Sequence, residues 1–200
     1  MKRILLALLL SVLIFYIFTQ VNSDESSTSS YIESITKERI EKDQFMNTSS
    51  NSPFYNHRDS TIALKYYPID ETYKVIARVE LIEENRLLTL GSSDGNQVTY
   101  RQYAYVYFNL QDQECTLLIL KNVSEGTLFT AFADLTSASE TYGAGRYLDL
   151  DFNRAKRITL DFNRAYNPYC NYNHDYSCPL PPKENMLNVA VRAGEKDFSK

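Results

Sequence analysis

Cys170, His174 and Cys178 recur at four-residue spacing, inside a stretch from Asp161 to Asn185 that also holds Pro168, Pro179, Pro181 and Pro182. The prolines remove donors and fix φ, so this stretch is expected to be an ordered loop. Its two thiols close a loop short enough for a Cys170–Cys178 disulfide in an oxidising compartment. Cys-x3-His-x3-Cys also supplies three zinc ligands, and His57, Cys115 or an aspartate would then have to complete the four that a structural site needs. A Cys170–His174 nucleophile pair for acyl or thiol chemistry is a third reading, and free structural thiols are a fourth. Cys115, among Leu117 and Ile119, reads as a small buried hydrophobe.

A second source of chemistry is the pair Asp149 and Asp161. Asp151-Phe152-Asn153-Arg154-Ala155 recurs as Asp161-Phe162-Asn163-Arg164-Ala165, a period too short for a solenoid and suggestive of a hairpin. Placing Leu148, Leu150 and Phe152 on one buried face with Phe162, Leu160 and Ile158 leaves a tight loop from Arg154 to Lys156. That register sets Asp149 directly opposite Asp161 on the other face. Opposed carboxylates repel, so the pair calls for a cation, a shared proton or an arginine, with Arg146, Arg157 and Arg164 nearby.

Strands must position these groups. Tyr73, Val75, Ala77, Val79 and Leu81 alternate with Lys74, Ile76, Arg78 and Glu80, the period of a half-buried strand. Further strands are expected at 86–90, 98–109, 115–121, 127–133, 145–152, 157–163 and 187–193, with turns at Ser92-Ser93-Asp94-Gly95 and Glu125-Gly126. Short strands at even spacing with no helical pattern between them predict a mainly β fold, an antiparallel barrel or sandwich. In the strand at 98–109, Tyr103, Tyr105 and Tyr107 fall on one face and Ala104, Val106 and Phe108 on the other. The tyrosines read as a ligand face or as phenols reaching water from a sheet covered on both sides. One N-terminal amphipathic helix precedes the strands. Its capping-box spacing is Ser30-Tyr31-Ile32-Glu33, and Ile32, Ile35 and Ile40 run toward Met46.

The address is set further upstream. Lys2 and Arg3 precede an apolar run from Ile4 to Phe18, broken only by Ser11 and followed by Val21-Asn22-Ser23. Residues 1–23 therefore read as a cleaved signal peptide or as a signal anchor held by residues 4–21, and residues 24–30 as a flexible spacer. A single β-rich domain over 31–200 would lie outside the cytoplasm, periplasmic or otherwise extracytoplasmic, touching the membrane only through the N-terminal segment. The chain carries 21 basic and 25 acidic residues, a net charge of −4. Loss of Lys2 and Arg3 with a signal would deepen that charge, and nucleic acid is excluded as a natural partner. No cofactor is called for.

Several blocks carry a resemblance. They are Ser52-Pro53, Tyr66-Tyr67-Pro68, Asp134-x-Thr136, Glu140-Thr-Tyr142-Gly-Ala-Gly145-Arg146-Tyr147-Leu148-Asp149, the run from Leu160 to Asn173, and Cys178-Pro-Leu-Pro-Pro-Lys-Glu184-Asn185. Over about Lys42 to Glu195 the chain is similar to an uncharacterised bacterial family catalogued as domain of unknown function 1684. The resemblance implies a compact, β-rich single domain and brings no reaction with it. It favours Asp161, Asn163, Tyr166 and Asn167 over Asp151 and Asn153, because the second copy of the repeat lies in the family-like block.

Two functions fit these residues. The first is a binding or structural module of the cell envelope. Its polar loop face, drawn from Tyr142, Arg146, Asn163, Tyr166, Asn167 and Asn185, would recognise a polar small molecule, a glycan or an envelope partner. The second is a hydrolase-like enzyme with Glu140, Asp149 and Asp161 as acid/base or cation-binding groups and Arg146 stabilising negative charge.

Overall fold

The apolar run Leu117-Leu-Ile-Leu120 lies in the middle of the sheet. The computed structural model describes residues 27–56 and 61–198. Seven strands run β1 (Lys74–Leu81), β2 (Leu87–Gly91), β3 (Gln97–Leu110), β4 (Gln113–Lys121), β5 (Leu128–Phe132), β6 (Arg146–Leu150) and β7 (Arg157–Asp161). All pairings are antiparallel, in the order β6-β5-β4-β3-β1-β7, with β2 added to β3. Leu117, Leu118, Ile119 and Leu120 are all fully buried because β4 is covered on both faces. At about 1.5–3 kcal/mol per buried aliphatic side chain, this strand is the largest local source of stability.

The inner face holds Ala104, Val106, Phe108, Leu117, Ile119 and Phe162. The outer face holds Tyr100, Leu118, Leu120, Phe129, Tyr147 and both Cys170 and Cys178. A bulge between Gln102 and Ala104 breaks the alternation of β3. As a result the three tyrosines do not share a face. Tyr103 packs against the inner cluster, Tyr105 packs against the outer one, and Tyr107 lies 4.3 Å beneath the Arg78 guanidinium.

The expected hairpin between β6 and β7 does not form. These strands are the two ends of the sheet, so Asp149 pairs with Phe129 of β5 and Asp161 with Lys74 of β1. The sheet curls into a half-barrel until Tyr147 meets Tyr166, just past β7, through reciprocal backbone hydrogen bonds of 2.8 and 3.0 Å. Beyond that bridge the seam between β6 and β7 stays open. The repeated pentapeptide therefore serves two different environments. Asp161 and Asn163 are buried, whereas Asp151 and Asn153 are exposed.

The segment 187–193 is not a strand, although Leu187, Val189, Val191 and Ala193 alternate inward as a strand would. It bends at Asn188, Val189 and Gly194, and the guanidinium of Arg146 takes the place of a neighbouring strand. Nη2 donates to Val191 O at 2.7 Å, and Nη1 donates to Ala193 O and, at 3.1 Å, to Glu195 O. A planar fork of donors thus satisfies three carbonyls of a segment that has no ladder.

A helix, α1, spans 27–48. Residues 27–30, expected as spacer, are already helical, so Ser30 is not its N-cap. The chain divides into two units at Glu41/Lys42. The first contributes helical residues 27–41 to the described chain; the second contains the end of α1 and the whole sheet. Within the second unit Met46, Phe54, Ile62 and Leu64 form a third apolar cluster, flanked by Tyr169 and Tyr172. The export segment 1–23 and His57 lie outside the described residues. No helix among the described residues is long and apolar enough to cross a membrane.

Candidate functional site

Arg146 was expected to face a ligand and instead lies inside the protein, 1% exposed. Besides three carbonyls, its guanidinium donates to Asp134 Oδ2 at 2.9 Å. Asp134 Oδ1 in turn accepts from Thr136 N at 2.8 Å, Thr136 Oγ1 at 2.7 Å and Val191 N at 3.2 Å. The Asp134-x-Thr136 and Arg146 motifs thus build one buried ionic strut.

The three asparagines are also spent on backbone. Asn185 is fully buried where β4 and β5 diverge, accepting from Leu118 N at 2.6 Å and donating to Leu118 O at 3.0 Å and Ala131 O at 2.9 Å. Asn163 accepts from Asp70 N at 3.0 Å and donates to Asp70 O at 2.8 Å. Asn167 donates from Nδ2 to Lys196 O at 2.8 Å. The amides of Asn185 and Asn163, donating and accepting, each imitate a peptide group in a place where no strand is available.

The three candidate carboxylates separate. Asp161 is buried, accepts from Asn163 N at 3.1 Å to cap the 3-10 turn Phe162–Arg164, and pairs with Arg164 at 3.0 Å. Glu140 accepts from Arg192 at 3.0 Å and from Tyr67 OH at 3.1 Å. The Arg192 hydrogen bond holds its carboxyl below the usual range. Asp149 is exposed and accepts from Tyr166 OH at 2.8 Å. Of the three, Asp149 alone is in no ion pair among the described residues.

Asp149 is also where three cavities meet. A cleft of about 530 Å³ is walled by Phe45, Tyr147, Tyr166, Tyr169 and Tyr176, with Lys42 and Cys178 lining it as well. The seam between β6 and β7 forms a second cavity, of about 380 Å³, in which Asp149 and Asp161 both take part together with Arg157 and Arg164. A third, of about 690 Å³, runs from Asp149 and Tyr166 past Asp151 and Phe152 to Tyr103 and Lys121. Glu140 and Arg146 line none of the three. The acid/base group drawn from Glu140, Asp149, Asp161 and Arg146 is therefore not assembled here.

The cleft wall is held by charge as well as by rings. Glu195, 1% exposed, pairs with Lys42 Nζ at 2.5 Å and accepts from Asn167 N at 2.8 Å and from Tyr172 OH. Lys42 Nζ also lies 4.6 Å from the Tyr166 ring centroid. Tyr169 and Tyr176 stack edge-to-face at 5.2 Å. Burial, then the Asp149 carboxylate, push the Tyr166 phenol far up, so it stays a donor. The sequence hinted at this wall through the density of tyrosines around Cys170. Lys42, Phe45 and Tyr147 carried no such signal, since they come from a helix end and a strand distant in sequence.

Cys170 and Cys178 are thiols in this structure, 3% and 8% exposed. Cys170 N donates to Cys178 Sγ at 3.3 Å, and Tyr142 OH lies 3.7 Å from Cys170 Sγ. The nearness of the two thiols lowers Cys170 to about 6 and pushes Cys178 up. His174 is exposed in the turn between them. Among the described residues no three His, Cys, Asp or Glu side chains converge as metal ligands, and Cys115 is buried on β4, where burial raises its thiol.

Residues 62–196 match a family model described as Protein of unknown function (DUF1684). The chain is 36% identical to an uncharacterized protein of Haloarcula marismortui solved in solution by NMR. The match covers 86% of this chain and 96% of that one, with a TM-score of 0.66. No curated protein matches.

Proposed function

Starting from a chain that belongs to the DUF1684 family of proteins of unknown function, we propose an exported cell-envelope binding module whose tyrosine-walled cleft takes a hydroxylated ring, as in a glycan. The observation that carries this reading is Asp149, an exposed carboxylate free of ion pairs, placed where the aromatic cleft opens into the two further cavities. A sugar presents an apolar face to stack on phenol rings and hydroxyls to donate to a carboxylate. Tyr166, pinned between Asp149 and the Lys42 ammonium, holds both the ring surface and the acceptor in place. The signal-like residues 1–23 support the exported address.

Heteronuclear NMR titration of the labelled domain with neutral envelope oligosaccharides tests the site. Shifts are expected at Asp149, Tyr166, Tyr169 and Tyr176. Asp149→Asn should weaken binding about tenfold or more, as expected for a lost hydrogen bond to a charged group. Shifts that map elsewhere, or an unchanged affinity in Asp149→Asn, overturn the reading. Cell fractionation with N-terminal sequencing tests the address. A mature chain starting after Ser23, or a membrane-retained full chain, supports it, and a cytoplasmic full-length chain refutes it.

A further inference from the structure

We propose that Cys170 and Cys178 form a reversible dithiol/disulfide couple, exchanged with small disulfides that enter through the cleft. The inference is independent of what the cleft binds, since it stands on the thiols themselves. They are the two cysteines of the outer-face cluster, and Cys170 N–H donates to Cys178 Sγ at 3.3 Å. Cys178 lines the cleft, and Cys170 lies behind it against Tyr142. An entering disulfide therefore meets one sulfur with the second in place to resolve it, as exchange requires.

The surroundings assist the exchange. Ser93 Oγ accepts from Cys178 N at 3.1 Å, and Ser93 N donates to Cys178 O at 2.9 Å, so this end of the loop is anchored to the turn after β2. The lowered Cys170 thiol supplies a base beside Cys178 near neutral pH. The Cys178 proton passes to Cys170 as Cys178 attacks one sulfur of the incoming disulfide, which expels a first thiolate. The Cys170 sulfur, giving up its proton to that thiolate, then attacks Cys178 Sγ and expels the second. The thiol and thiolate of the pair together lose one proton and two electrons, and the small disulfide gains them as one thiol and one thiolate, which takes its proton from solvent. Closure ties together the ends of the loop that carries Tyr176 and Ser177 on the cleft wall.

The test equilibrates the folded protein in glutathione buffers of graded redox ratio, followed by acid quench, alkylation and intact mass with peptide mapping. A single reversible transition is expected, with loss of two hydrogens and a Cys170–Cys178 linked peptide, unchanged in Cys115→Ser. Cys170→Ser should stop at one glutathione adduct on Cys178. The proposal is overturned if both thiols remain alkylatable in the most oxidising buffer. It is equally overturned if each carries its own glutathione, or if Cys170→Ser takes up no adduct.

Discussion

Arg146 shows what a single residue does here. It is a donor fork for a segment that has no strand beside it, and its charge is balanced by a carboxylate as buried as itself. Arg146→Met removes the fork and leaves the buried Asp134 carboxyl without its partner cation. Breaking one side of a buried pair costs about 3–5 kcal/mol, so urea unfolding should show a loss of that order. The cysteine pair makes a second prediction at this scale. With Cys170 lowered to about 6, the folded pair sheds its first proton well below the ~8.5 of an unfolded thiol. Between those values the unfolded chain binds more protons, so stability rises with pH. Above ~8.5 the sign reverses, because the unfolded thiols are both ionised while Cys178, pushed up, keeps its proton. Chemical denaturation across this range should differ between wild type and the Cys170→Ser, Cys178→Ser double variant by a contribution that peaks at pH ~8.5. A flat difference would remove the depressed thiol from the account.

At the scale of elements, the decisive piece is the C-terminal segment that completes the half-barrel without joining its ladder. Gly194 has φ +75, and a Cβ there would lie 2.7 Å from Phe162 O and also meet Ala165 O. The segment can approach the turn after β7 only because this position lacks a side chain. Gly194→Ala should therefore cost about 3 kcal/mol, combining left-handed strain with a backbone clash, as read by denaturant midpoint. Gly95, with φ +83 and open space around it, should lose less on the same change, since only the strain remains. The strands themselves were legible because period two is local, and β1, β3 and β4 fall where alternation and apolar runs place them. Two readings failed because they depend on what a strand pairs with. The repeat and apolar faces at 148–162 suit a hairpin, yet the strand order places β6 and β7 at opposite ends of the sheet. Residues 187–193 alternate correctly but find Arg146 in place of a strand. The site was legible only in part for the same reason. The tyrosines near Cys170 and the pair Asp149 and Tyr166 were visible as chemistry, whereas Arg146 and three asparagines looked like ligand groups because a side chain bonded to backbone has the same composition as one waiting for a ligand.

At the scale of the molecule, sixteen tyrosines and no tryptophan amount to a strategy for covering a sheet on both faces. Phenols bury a ring and keep a polar tip, which here ends on a carboxylate, a carbonyl or a thiol. Tyr67 donates to Glu140, Tyr147 to Pro179 O at 2.6 Å, Tyr166 to Asp149 and Tyr172 to Glu195. Burial is the leading cause that raises Tyr67 to about 12 and moves Tyr147, Tyr166 and Tyr172 up as well. A group whose folded pKa is raised stabilises the fold fully below its unfolded value and loses that contribution as pH climbs toward the folded one. Unfolded tyrosines ionise near ~10, so each of these phenols adds to the destabilisation above that pH. Because Tyr147 and Tyr166 tie β6 to the segments outside the sheet, and Tyr67 and Tyr172 tie those segments to one another, their ionisation and unfolding should be one event. Tyrosinate absorbance and far-ultraviolet circular dichroism, followed together through an alkaline titration, are expected to show an early fraction of exposed phenols with native dichroism and then a joint transition. Complete phenol ionisation with the β signal intact would mean that the cleft wall opens without the sheet, and the aromatic wall would then be an adjustable surface laid over the half-barrel instead of a part of its structure.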